Sequence, residues 1–135
     1  MWQNAGRGRR MHWTDIGERS KGRVTVLDVR GHMTLSEADA SLYRYASRLA
    51  DEGRFHIVLN LQHVAYVDSV GVGEIVRTFL HLGQRGGSMA VCDVSARTRE
   101  VLLATRLDTV IRMFDTEAQA IAALDSDAAR WGEPQ

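Results

Sequence analysis

Apolar residues along the chain alternate between strand-like runs and helical spacing. Trp13–Glu18 predicts a short edge strand, and Arg23–Arg30, rich in β-branched residues, a strand that turns at Gly31. Leu35, Ala38, Leu42, Tyr45 and Leu49 recur at steps of three and four, which predicts a helix over 35–52 stopped by Gly53. His56–Gln62 is a nearly unbroken apolar run, the signature of a strand covered on both faces. His63–Ser69 reads as a turn region. A second helix follows over 70–84, with Val72, Ile75, Val76, Phe79 and Leu82 (or Leu80) as its buried stripe and Gly86–Gly87 as its break.

Ser88–Asp93 predicts the next strand, and Ser95 is a natural N-cap for a helix holding Val101, Leu102 and Leu103. Val110–Phe114 predicts a last short strand. Thr116 and Gln119 have capping-box spacing ahead of a final helix with Ala118, Ile121, Ala122 and Leu124 on its apolar face. The order β-β-α-β-α-β-α-β-α demands crossover connections. It predicts an α/β fold with a mainly parallel central sheet of four or five strands and about four helices. At 135 residues the chain has room for one such domain, expected over 13–125. Residues 1–12 read as a disordered tail and 126–135 as a frayed end.

Composition narrows the class. Apolar residues make up 44% and charged residues 25%, enough for one hydrophobic core without staples. No apolar run is long enough for a membrane-spanning helix, and a cytoplasmic protein with no membrane partner is expected. The single cysteine, Cys92, excludes a disulfide framework, and its apolar strand predicts a buried structural thiol. Three of the 17 bases and none of the 17 acids fall in the first ten residues. The remainder is slightly acidic, without the basic excess of a nucleic-acid-binding domain.

Several chemistries fail on spacing. A nucleophile elbow needs Gly two residues before its serine, where Ser69 has Val67. A dinucleotide fingerprint opened by Gly71 and Gly73 would need a third glycine where Val76 stands. The only lysine, Lys21, lies in no phosphate-binding loop. His12, His32, His56, His63 and His81 lack the spacing that sets two imidazoles on one helical face, so no metal site is expected. No cofactor and no catalytic set is expected either.

What remains is Asp68-Ser69-Val70-Gly71-Val72-Gly73, where a buried strand hands over to a helix. A helix start carries orphan N–H groups and the positive end of the dipole. Either Asp68 or Ser69 suits the N-cap. Two glycines in a helix's first turns cost about 1 kcal/mol each relative to alanine. Two benefits would offset that: tight packing inside the domain, or a smooth surface for another macromolecule.

These residues carry a resemblance. The stretches His56–Leu61, Asp68–Gly73, Gly86–Val91 and Leu107–Phe114, with Val24–Thr34 upstream, resemble the STAS domain, and within it the bacterial anti-sigma factor antagonists. The likeness covers roughly residues 14–125, and the D-S-x-G-x-G element is its most specific part. It implies a STAS-like fold and a non-enzymatic switch. Such proteins bind an anti-sigma factor that is often also a serine kinase of the histidine-kinase-like ATPase fold. Binding frees a sigma factor. The kinase phosphorylates the serine after the motif aspartate, here Ser69, and a PP2C-type phosphatase reverses the step.

The implied partner surface is Asp68, Ser69, Val70, Gly71, Val72 and Gly73, together with His32 and Thr34. Two departures stand out. Val70 replaces the second hydroxyl residue of many relatives, leaving Ser69 the only acceptor in the motif. Gly31-His-Met-Thr34 replaces the frequent Gly-Glu-Leu-Asp turn, which should lie at the same end of the sheet as Ser69. Other readings are an unphosphorylated STAS module in a signalling scaffold or lipid-transport complex, a small-ligand or nucleotide sensor, and, more distantly, a hydrolase.

Overall fold

A computed structural model describes residues 15–33 and 41–130. The elements run β1 (Asp15–Lys21), β2 (Val24–Met33), α1 (Ser41–Asp51), β3 (His56–Val67), α2 (Ser69–Gln84), β4 (Ser88–Cys92), α3 (Ala96–Ala104), a short 3-10 turn (Leu107–Thr109), β5 (Arg112–Phe114) and α4 (Glu117–Arg130). One five-stranded sheet has the order β1-β2-β3-β4-β5. The β1–β2 hairpin is antiparallel and every other pair is parallel. This is the predicted α/β architecture in the predicted order.

Alternation along the strands sorts the core into two layers. Leu27, Val29, Ile57, Leu59, Leu61, Met89 and Val91 point to one face, where Leu42, Ala46 and Leu49 of α1, Ile75 and Leu82 of α2 and Leu102 of α3 meet them. Val24, Val26, Val58, Ala90 and Cys92 point to the other face, against Ala120 and Leu124 of α4. Leu82 is buried whereas Leu80 is 54% exposed, which resolves the choice in the α2 stripe.

Several boundaries differ from the sequence reading. β1 lies two to three residues further on, at Asp15–Lys21, and pairs along its whole length with β2. β2 does not turn at Gly31. Gly31 has φ +107 and sits at a register irregularity, so the glycine absorbs a bulge and the strand continues to Met33. β3 likewise runs on through the supposed turn to Val67. Val64 and Val67 remain buried, and the extension pairs with β2 alone because β4 ends opposite Asn60. The expected helix from Leu35 is seen from Ser41, and 34–40 lie outside the described residues.

The last helix runs to Arg130 rather than giving way near Asp127. Ala128 is buried, and Arg112 and Arg130 both reach the Asp127 carboxylate. Residues 1–12 lie outside the described residues. Both predicted caps are in place: Ser95 Oγ accepts the Thr98 N–H, and Thr116 and Gln119 exchange reciprocal bonds.

Polar side chains tie the layers together. Arg19 of β1 forms paired contacts of 2.7–2.9 Å with both Asp28 of β2 and Glu117 of α4. On the opposite face, Glu18 accepts from Tyr45 of α1 at 2.5 Å and from Arg54 at 2.6 Å. Burial and that hydrogen bond push the Tyr45 phenol well above its ordinary range.

The candidate partner-binding site

Parallel pairing of β2 and β3 sets Met33 opposite Val67 and His32 opposite Tyr66. The backbone of the Gly31–Met33 segment therefore ends beside the start of α2, at the same end of the sheet as Ser69. Thr34 and the His32 side chain lie outside the described residues.

Asp68 is the N-cap of α2. Its backbone is extended (φ −112°, ψ −174°), and its Oδ1 accepts the N–H groups of Val70 and Gly71, both at 3.0 Å. The Asp68 carbonyl accepts from Val72 N–H, which starts the helical ladder. Ser69 is left as the first helical residue, exposed, at the positive end of a 16-residue helix. The cap is Asp68, so the Ser69 hydroxyl is not needed for it.

The motif then divides by the helical period. Ser69, Val70 and Gly73 face solvent, with Val70 41% exposed. Gly71 and Val72 turn inward, Val72 joining the core. Those two shape the helix start and present little surface of their own. Among the described residues, a Cβ built at Gly73 would meet nothing within 4 Å. Tight internal packing therefore does not explain that glycine. Tyr66, itself 41% exposed, flanks the site, and the Arg97 guanidinium at the start of α3 lies 5.8 Å from its ring centroid.

Continuing along α2, Glu74 is buried, and its Oε2 accepts the backbone N–H of Tyr43 in α1 at 2.9 Å. One turn on, the Arg77 guanidinium stacks 3.8 Å from the Tyr43 ring centroid, and His81 meets the same ring edge-on at 5.2 Å. Tyr43, Gly73, Val76, Arg77, Leu80, His81 and Gln84 line an open groove of about 560 Å³. The spacing of apolar residues put Val76 in the buried stripe, but it is half-buried at the groove. Arg77 and Tyr43 went unremarked in the sequence. Their only signal is the bare cation at the i+4 step from Gly73, which periodicity alone does not rank above other surface arginines.

A second polar cluster occupies the α4 face. Asn60 donates to Glu117 at 2.8 Å and to Asp93 at 3.2 Å, and Cys92, Asp93 and Glu117 bring their ligand-type atoms within 4.8 Å of one another. Glu117 already bonds Arg19 and Asn60, which hold its carboxyl below the usual carboxylate range. Burial, with Asp93 beside it, pushes the Cys92 thiol far above its ordinary range. These groups act as internal ties between sheet and helix.

A STAS domain model matches residues 18–120. The chain belongs to the STAS domain family. An anti-sigma F factor antagonist of Paenibacillus polymyxa is 36% identical over 70 residues, 52% of this chain. The chain spans only 60% of that relative's length.

The fold of this STAS chain resembles an anti-sigma factor antagonist from Mycobacterium paratuberculosis, with TM-score 0.73 at 21% identity over 83% of this chain and 94% of the other. It also resembles the Bacillus cell fate determinant SpoIIAA in its phosphorylated form, with TM-score 0.61 at 22% identity over 80% and 97%. Among the described residues, no helix is long and apolar enough to cross a membrane.

Proposed function

We propose that this STAS protein is an anti-sigma factor antagonist of the cytoplasm. It binds an anti-sigma factor that is also a serine kinase of the histidine-kinase-like ATPase fold. Binding releases a sigma factor, phosphorylation of Ser69 turns the protein off, and a PP2C-type phosphatase restores it.

The observation that carries this reading is the exposed Ser69 hydroxyl at the first position of α2, uncommitted to the cap because Asp68 supplies it. A kinase can reach such a hydroxyl without unfolding anything. The phosphate would carry a charge of about −1.5 to −2. The helix N-terminus offsets part of its repulsion from Asp68, by roughly 0.3–1 kcal/mol. The fold therefore tolerates the modification. A partner surface fitted to a small neutral hydroxyl and a bare Gly73 does not, since like-charge or unpaired desolvated contacts cost several kcal/mol. The protein itself performs no catalysis in this scheme. Its Asp68 carboxylate is occupied by two backbone N–H groups rather than poised as a base.

The test is the mass and affinity of the chain with its anti-sigma factor. Wild type should gain one phosphate from the kinase and ATP, while Ser69→Ala should bind and gain none. Ser69→Asp should bind at least tenfold more weakly with an unchanged circular dichroism spectrum. Equal binding by Ser69→Asp, together with no phosphate on wild type, would overturn the proposal.

A further inference from the structure

Building on the antagonist reading, we propose that the α1–α2 groove is a second contact for the same partner. It takes a partner element that carries a carboxylate beside a large aliphatic side chain. The exposed face of α2 is continuous from the switch to the groove. Ser69, Gly73, Arg77, Leu80 and Gln84 follow one another at steps of three and four, so they share a face. At the helical rise, Ser69 and Leu80 lie about 16 Å apart along the axis, a span that one ordinary protein interface covers.

The chemistry of that face is one-sided. Arg77 stacks on Tyr43, and among the described residues no carboxylate pairs with it. Stacking uses the flat face of a guanidinium and leaves its N–H edges for a planar anion. Glu74, the only acid of α2, is buried and turned to the α1 backbone, so it does not neutralise Arg77. Leu80, 54% exposed, is more exposed than any other large hydrophobic among the described residues, and Val76 is half-buried beside it in the groove. An exposed leucine next to a pre-oriented arginine that no described carboxylate pairs fits an acidic and aliphatic pair and repels a basic one. Gly73 keeps the passage between switch and groove clear, since its missing Cβ makes room that none of the described residues occupies.

The experiment uses the full chain and the purified ATPase-fold anti-sigma factors of its source organism, titrated by calorimetry. Ser69→Asp, Arg77→Glu and Leu80→Ser are compared with Leu103→Ser, a control at another exposed leucine on α3, away from the groove. Arg77→Glu and Leu80→Ser should each weaken binding at least tenfold with unchanged circular dichroism, and Leu103→Ser should change it less than twofold. A photo-crosslinker at position 80 should attach to a partner peptide containing Asp or Glu beside an aliphatic residue. Changing that acid to Lys should restore binding by Arg77→Glu. If Ser69→Asp loses binding while Arg77→Glu and Leu80→Ser bind like wild type, the groove contact is wrong and the antagonist reading stands. Tighter binding by Arg77→Glu would also overturn it. If wild type binds none of these proteins, both readings fall.

Discussion

Glu74 of α2 accepts the backbone N–H of Tyr43 in the first turn of α1 at 2.9 Å. The helix that begins with Ser69 thus caps the helix beside it, with a buried carboxylate at the positive end of α1. The contact fixes the two walls of the groove relative to each other. Glu74→Ala should lower stability by about 1–2 kcal/mol, the scale of losing a cap. Glu74→Gln should recover part of that loss, because its amide oxygen still accepts. Urea denaturation measures both. A loss below about 0.5 kcal/mol, the range of ordinary surface substitutions, would show that other acceptors hold α1.

Acid should weaken the tie between β1 and α4. Hydrogen bonds from Arg19, opposed by burial and supported by Asn60, hold the Glu117 pKa below its ordinary value. The unfolded chain therefore takes up the proton first as pH falls. The stabilisation is complete above the ordinary carboxylate range and is lost as pH drops through the depressed folded value. Arg19→Gln should cost about 1–2 kcal/mol at neutral pH, a charge-assisted contact discounted for the 40% exposure of the arginine. The difference between wild type and variant should shrink on acidification below the carboxylate range. A difference that stays constant or widens in acid would contradict this assignment.

Cys92 is fully buried in β4, and burial raises its thiol pKa. The thiolate is the reactive form, so a water-soluble thiol reagent should label the native protein slowly. Labelling should track unfolding as denaturant is added. Fast native labelling would mean that β4 opens independently of the rest of the sheet.

The legibility of the chain follows from what local pattern can encode. The order of elements, both predicted caps and the place of Ser69 at the start of a helix came through, because helical period, cap residues and apolar runs are local signals. Gly31 and the 63–67 segment misled. A glycine that absorbs a bulge inside a strand has the same local sequence as one that closes a turn. The extra length of β3 is specified by its pairing with β2, not by its own alternation. The groove was invisible for a related reason. Tyr43 and Arg77 meet only because α1 and α2 pack side by side, and no spacing within either helix announces that.

The glycines of α2 and its exit give the sharpest separation between folding and recognition. Gly73 and Gly83 both lie in the helix with no described residue within 4 Å of a built Cβ, whereas a Cβ on Gly87 would fall 2.0 Å from the Phe55 carbonyl oxygen and 2.7 Å from its Cβ. Those Phe55 atoms belong to the chain entering β3, where the same carbonyl accepts from Ser88, so they cannot swing aside as a flexible side chain would. Gly87→Ala should therefore destabilise by about 3 kcal/mol or more, the range of overpacking and backbone strain. Alanine in an open helical site should instead stabilise, by roughly 0.5–1 kcal/mol, for both Gly73→Ala and Gly83→Ala. The two should part on binding. Gly73 lies on the face of Ser69, one turn along, so a methyl group there should weaken anti-sigma binding at least tenfold. Gly83 lines neither the switch nor the groove and should leave binding unchanged. Denaturation and calorimetry on the three variants decide the matter. If Gly73→Ala is more stable and binds as well as wild type, the glycine does not serve partner approach.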